Sequence, residues 1–205
     1  MSINVYDRIL KILSFDYAEL ILKLAFPDEE VEIYDKQKNV ELAIPEKRVD
    51  FVQSIINNKN EYIFHIEFQL KHTEAFSKRM FVYSALLTDH FDLPVVSLAL
   101  FLERTKAEIP EDYYVEFAGE FTNRFNYKVL KLWEYEDMIR SGKFKELAPL
   151  LLMISEEKDE NVLQTERKLI MQEKDYRKRS DLIACAIMLA SRYFNKEFLF
   201  RFFRE

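Results

Sequence analysis

The stretch RVDFVQSIINNKNEYIFHIEFQ, residues 48–69, contains two runs of alternating side chains, 48–56 and 61–70, around the segment Asn57-Asn58-Lys59-Asn60. Strand side chains have period two. Tyr62, Phe64, Ile66 and Phe68 therefore share one face of the second run, and Ile63, His65, Glu67 and Gln69 the other. In the first run Val49, Phe51 and Ile55 lie opposite Arg48, Asp50, Val52 and Ser54. Asparagine tolerates positive φ, so the joining segment reads as a hairpin turn. A hairpin symmetric about Asn58-Lys59 pairs residues whose numbers sum to 117. That register sets Val49 against Phe68, Phe51 against Ile66 and Ile55 against Tyr62, an apolar face fit for burial. It also sets Asp50 opposite Glu67 and Arg48 opposite Gln69, with Cβ atoms about 4.5–5.5 Å apart across the strands. A slip of one residue would move Asp50 to the other face.

Two carboxylates opposed across a sheet repel. Arg48 and nearby lysines can neutralise them on a solvated face. A divalent cation can do the same, since Mg2+ takes one or two carboxylates and completes its shell with water and phosphate oxygens. Spacing alone favours neutralisation on a solvated face over a cation. Without a cation the paired charges oppose each other, so removing one acid is expected to stabilise the protein slightly.

Working outward, residues 4–26 carry Val5, Ile9, Ile12, Leu13, Leu20 and Leu24 in a helical pattern. Asp16 and Glu19 have capping-box spacing, which predicts a break near Ser14 and a second helix from Tyr17. Pro27 stops it. Short strands are expected at 31–34 and 42–44. Residues 74–91 read as a helix with Phe76, Met80, Tyr83 and Leu87 on one stripe. Residues 95–102 read as a strand buried on both faces. Further strands are expected at 113–117 and 127–133, then helices at 145–154, 159–172, 177–193 and 195–204. The coarse organisation is a mixed α/β core over 1–134, followed by a helical extension over 135–205 packed on it.

The 205 residues suffice for one domain with a real core. With only two glycines, Gly119 and Gly142, neither a P-loop nor a dinucleotide fingerprint can be built. Cys185, the single cysteine, sits in an apolar run and reads as a buried, inert thiol. No signal-peptide pattern and no apolar stretch of about 18–20 residues is evident, so no membrane association and a cytoplasmic location are expected. The formal net charge of −6 weighs mildly against autonomous binding of nucleic acid through phosphates. His65, His72 and His90 lack zinc-ligand spacing, and His65 reads as structural. The run 165–180 mixes Arg167, Lys168, Lys174, Arg177, Lys178 and Arg179 with Glu166, Glu173 and Asp175, the pattern of a solvated helix face.

Three segments in order carry a resemblance: Arg48-Val49-Asp50, then Tyr62-Ile63-Phe64-His65-Ile66-Glu67-Phe68-Gln69, then Arg79-Met80-Phe81-Val82-Tyr83. Together they resemble the Rpn/YhgA-like transposase family of the PD-(D/E)XK nuclease superfamily, whose pattern is an aspartate on one strand, E-x-Q on the next, and an Arg-x-x-x-Tyr helix. Tyr6-Asp7-Arg8-Ile9-Leu10-Lys11 looks like the family's opening helix. The resemblance covers roughly residues 5–135. It implies a restriction-endonuclease-like mixed β-sheet core flanked by helices, with a C-terminal helical extension. It further implies Mg2+- or Mn2+-dependent cleavage of DNA linked to mobile-element recombination. Asp50 and Glu67 would bind the metal, with Asp7 or Glu19 as a further acid. Gln69 occupies the position where the superfamily most often has lysine. An amide makes a poor base, so Gln69 would orient water or substrate, and Lys11 or Lys71 would supply the missing cation. Arg79 and Tyr83 lie four apart on one helix face; Arg79 would grip a phosphate and Tyr83 would support Glu67 or Gln69, though Tyr83 reads equally as core and Lys71 as an ordinary surface residue.

Three functions compete. An active DNA endonuclease is the first, with DNA as partner and a homodimer left open. A catalytically inactive nuclease-fold module binding DNA or a protein is the second, favoured by Gln69 and the acidic balance. A three-acid RNase H-like transposase is the third, and no third acid in the required pattern supports it. Fold alone implies no activity.

Overall fold

The structure, a computed structural model, describes residues 5–27, 30–35, 48–117 and 120–204. The strand expected at 42–44 lies outside them. The chain divides into two compact units, one of residues 14–101 and 105–130, the other of residues 1–13, 102–104 and 131–205.

The N-terminal pattern gives α1 (Val5–Asp16) and α2 (Ala18–Ala25). The break falls at Tyr17 rather than near Ser14, and Tyr17 caps α2 without a side-chain hydrogen bond. The Asp16–Glu19 spacing therefore does not form a capping box: α1 runs through Asp16, so that residue is helical and not an N-cap.

The first unit is built on a mixed α/β sheet of five strands, in the order β1 (Val31–Asp35), β2 (Phe51–Asn57), β3 (Asn60–Gln69), β4 (Val95–Phe101), β7 (Lys128–Lys131). β1 with β2 and β2 with β3 are antiparallel, while β3 with β4 is parallel, joined by α3 (Phe76–Phe91). The β2–β3 register runs from Phe51↔Ile66 to Asn57↔Asn60, every pair summing to 117. Asn58 and Lys59 both have positive φ, 49° and 67°, as a type I′ hairpin turn requires. The sheet is covered on both sides. Val49, Val52, Ile63, Tyr83 and Leu87 form one buried cluster under α3, and Phe26 meets Phe64 edge-on on the opposite face. Val49 thus sits with Val52 and Ile63 and not with Phe51 and Phe68 as strict alternation predicts. The strand begins only at Phe51, after a bend at Asp50, so the period-two rule does not extend back to Val49.

β5 (Asp112–Phe117) pairs with β6 (Glu120–Asn126) in a separate antiparallel ribbon. Tyr113 stacks on Phe81 of α3, with centroids 5.2 Å apart. β7 ends early, and residues 132–135 form a 3-10 turn rather than strand.

The second unit is helical beyond residue 135: α4 (Glu136–Arg140), a 3-10 segment over 145–150 that contains Pro149, α5 (Leu151–Ile154), α6 (Glu160–Ile170), α7 (Tyr176–Ala190) and α8 (Lys196–Arg204). Asp159 and Asp175 cap α6 and α7, each accepting from two backbone N–H groups. Glu166 departs from the solvated-face expectation: it is fully buried, with Val162, Leu163, Leu169 and Ile170 of the same helix. Its spacing from Val162 and Leu163 puts it on the apolar stripe. Among the described residues no helix is long and apolar enough to cross a membrane.

Candidate functional site

The β2–β3 ladder stops at Phe51↔Ile66, and the chain bends at Asp50. Buried backbone donors need partners, and two acid side chains supply them. Phe68 N–H donates to Asp50 Oδ2 at 2.9 Å, and Asp50 N–H donates to Glu67 Oε1 at 3.1 Å. Glu67 thus accepts from the Asp50 main chain one residue past the last paired position of the hairpin, and the Asp50 carboxylate accepts from Phe68. Glu67 is buried at 4 % exposure, and Asp50 is partly exposed.

Other side chains close around Glu67. His65 Nε2 lies 3.1 Å from the same Oε1, and His65 Nδ1 lies 3.2 Å from Ser97 Oγ on β4. Both His65 and Ser97 are buried, and they are register partners across the parallel pair. Glu67 Oε2 faces Arg79 Nε at 4.0 Å, beyond hydrogen-bond range. Among the described residues that buried Nε has no hydrogen-bond partner. The guanidinium carbon lies 5.1 Å from the Phe76 ring centroid, a cation–π distance that holds the head group in place.

One helical turn on, Tyr83 meets the His65 ring edge-on at 5.9 Å. Burial pushes its phenol pKa up, the negative charge of Glu67 adds to this, Arg79 opposes it, and Asp50 raises it further. Asp50, Glu67, Arg79 and Tyr83 thus share one electrostatic neighbourhood. Tyr83 also belongs to the apolar cluster under α3, so both readings of it hold.

The remaining expected residues are placed as follows. Gln69 Nε2 donates to Phe68 O at 2.8 Å, which ties the amide to the main chain beside the acids. Lys71 is exposed, two residues past β3, and Glu19 sits in the first turn of α2. Asp7 and Lys11 lie on α1, and their side chains are outside the described residues. Two members of the cluster were not read as functional from the chain. His65 carried a signal, a polar residue two positions before Glu67 on the same face. Ser97 carried none, since it interrupts an apolar run and its neighbour is set by a parallel pairing.

The donor set suits a hard divalent cation. Both acids are oxygen ligands of the kind Mg2+ and Mn2+ take, and both are pre-oriented by backbone donors. Among the described residues no group of three or more His, Cys, Asp or Glu side chains is arranged to hold a metal. Mg2+ ordinarily adds water and substrate oxygens to one or two carboxylates.

The chain matches no family model, no curated protein and no solved structure.

Proposed function

We propose that this chain is a Mg2+- or Mn2+-dependent DNA endonuclease of restriction-endonuclease-like fold, of the Rpn/YhgA-like kind, acting in mobile-element recombination. The observation that carries this reading is the linkage of Glu67 to the Asp50 main chain and of Asp50 to Phe68 N–H at the end of one hairpin, beside an Arg79 Nε with no hydrogen-bond partner among the described residues. Asp50 and Glu67 are the residues that would hold the cation, which when bound polarises a phosphoryl oxygen and acidifies a water. Arg79 offers a donor to a phosphate oxygen. Tyr83 presents an O–H rather than a phenolate at neutral pH, as any phenol near the usual 10.0 does, and burial moves its pKa higher still. Gln69 fixes the Phe68 carbonyl beside the acids.

A second reading has its own observation. The Gln69 amide is engaged with the main chain, and position 69 carries this amide where the superfamily most often has lysine. A catalytically inactive nuclease-fold module binding DNA or a protein partner fits that arrangement.

Cleavage of supercoiled plasmid and single-stranded DNA separates the two. Wild type is expected to nick with Mg2+ or Mn2+ and to stop with EDTA. Asp50→Ala and Glu67→Ala are each expected to lose at least about 100-fold, equivalent to about 2.7 kcal/mol of transition-state stabilisation. Equal cleavage by wild type and Glu67→Ala would sink the nuclease reading. No cleavage by wild type, with DNA binding retained, favours the inactive module.

A further inference from the structure

Glu67 is not held by the sheet alone. Its Oε1 lies 3.1 Å from His65 Nε2, and the far side of that ring lies 3.2 Å from Ser97 Oγ. His65 is fully buried, Ser97 is 3 % exposed and Glu67 4 % exposed, so solvent cannot substitute for any member of the chain. The three residues come from β3 and β4, whose parallel register sets His65 directly beside Ser97. A carboxylate only accepts hydrogen bonds, so the ring's Nε2–H donates to Glu67. The other nitrogen is left for the Ser97 hydroxyl, and Tyr83 bounds the ring edge-on at 5.9 Å.

A ring fixed at both nitrogens and along one edge cannot rotate away from the carboxylate. With Oε1 committed to His65 and to Asp50 N–H, Oε2 is the oxygen turned toward Arg79. We infer that His65, braced by Ser97, is a positioning residue that locks the Glu67 carboxylate with Oε2 as its ligand atom. This rests on the metal-dependent reading above. The cation would contact neither His65 nor Ser97. Their effect is to remove the rotamers of Glu67 that cannot reach it, as partners behind metal ligands generally do.

The test separates the position of the donor from simple filling of space. In His65→Gln the side-chain amide nitrogen falls near the place of Nε2 and can still donate to Glu67. In His65→Asn the shorter amide reaches only the place of Nδ1, on the Ser97 side. The full chain and both variants, with Ser97→Ala and His65→Leu, are titrated with Mn2+ by calorimetry. Thermal unfolding without metal and plasmid nicking are followed in parallel. His65→Asn and His65→Leu are expected to weaken Mn2+ binding by about 10–100-fold. His65→Gln should recover most of the affinity, and Ser97→Ala should fall between. The same order in nicking, among variants that unfold at similar temperatures, supports the inference. Wild-type Mn2+ affinity in His65→Asn overturns it, and so does a His65→Gln variant no better than His65→Asn. If the wild-type chain binds no Mn2+, the proposed function and this inference fall together. If wild type binds and cleaves while every variant matches it, the inference alone fails.

Discussion

Oε1 of Glu67 accepts from the Asp50 backbone N–H and meets His65 Nε2, both at 3.1 Å, on a side chain that is 4 % exposed. Repulsion between two facing acids would make removal of one of them favourable in the metal-free protein. The geometry reverses that expectation, because each acid is an acceptor that buried donors need. Glu67→Ala leaves a backbone N–H and an imidazole N–H without partners, and an unsatisfied buried donor costs about 1–3 kcal/mol. Metal-free Glu67→Ala is therefore expected to be destabilised by about 2 kcal/mol or more, read as a lower urea midpoint at unchanged slope. Glu67→Gln, whose amide oxygen still accepts, should recover part of the loss. A Glu67→Ala midpoint at or above wild type would show that charge repulsion outweighs these hydrogen bonds. The opposition of Asp50 and Glu67 was legible from turn length and period. Their role as acceptors was not, because it depends on where β2 begins, and the bend that decides this has no marker in the chain.

The hairpin is the element on which the site depends. Its two central residues, Asn58 and Lys59, both lie at positive φ. Asparagine accepts that conformation readily, whereas lysine pays the left-handed penalty that glycine escapes. Lys59→Gly is expected to stabilise the protein by about 0.5–1 kcal/mol, the left-handed cost less glycine's added chain entropy, measured by chemical denaturation. A loss of stability would mean that the lysine side chain contributes more than its backbone costs. Other elements were less legible. β6 reads Glu-Phe-Thr-Asn-Arg-Phe-Asn over 120–126, too polar to mark a strand, and it forms by pairing with β5. Helix α2 starts without the capping box that Asp16 and Glu19 suggest, since tertiary packing of Ala18, Ile21, Leu22 and Leu24 suffices to hold it.

At the scale of the whole molecule, two glutamates of the helical unit act on stability with opposite signs. Burial pushes the Glu166 pKa well above its usual 4.5, opposed by the Leu152 backbone N–H. The unfolded chain ionises this group as pH rises past 4.5 while the folded chain resists, so stability is lost as pH climbs toward the folded value. Burial also raises the Glu136 pKa, but the hydrogen bonds from Ser155 and Arg140 and the charges of Arg140 and Arg104 outweigh it, and the net shift is downward. Its contribution is present above 4.5 and lost as pH falls through the lowered value. Thermal unfolding from about pH 2 to 9 should therefore show Glu166→Gln gaining on wild type as pH rises, and Glu136→Gln losing most at neutral pH with the gap closing as pH falls below 4.5. Parallel curves for Glu166→Gln and wild type would mean that the buried carboxyl gains water or a partner in solution. The sequence by itself determined the 117-sum register and the helix carrying Arg79 and Tyr83, because period, turn chemistry and helical spacing act between near neighbours. Only the tertiary structure decided that Ser97 stands behind His65, that Val49 turns under α3, and that Glu166 is enclosed. The first depends on segments far apart in the chain, because a parallel pair joined through a helix has no tight turn to set its register, and the other two on a bend and an enclosure that local spacing does not mark.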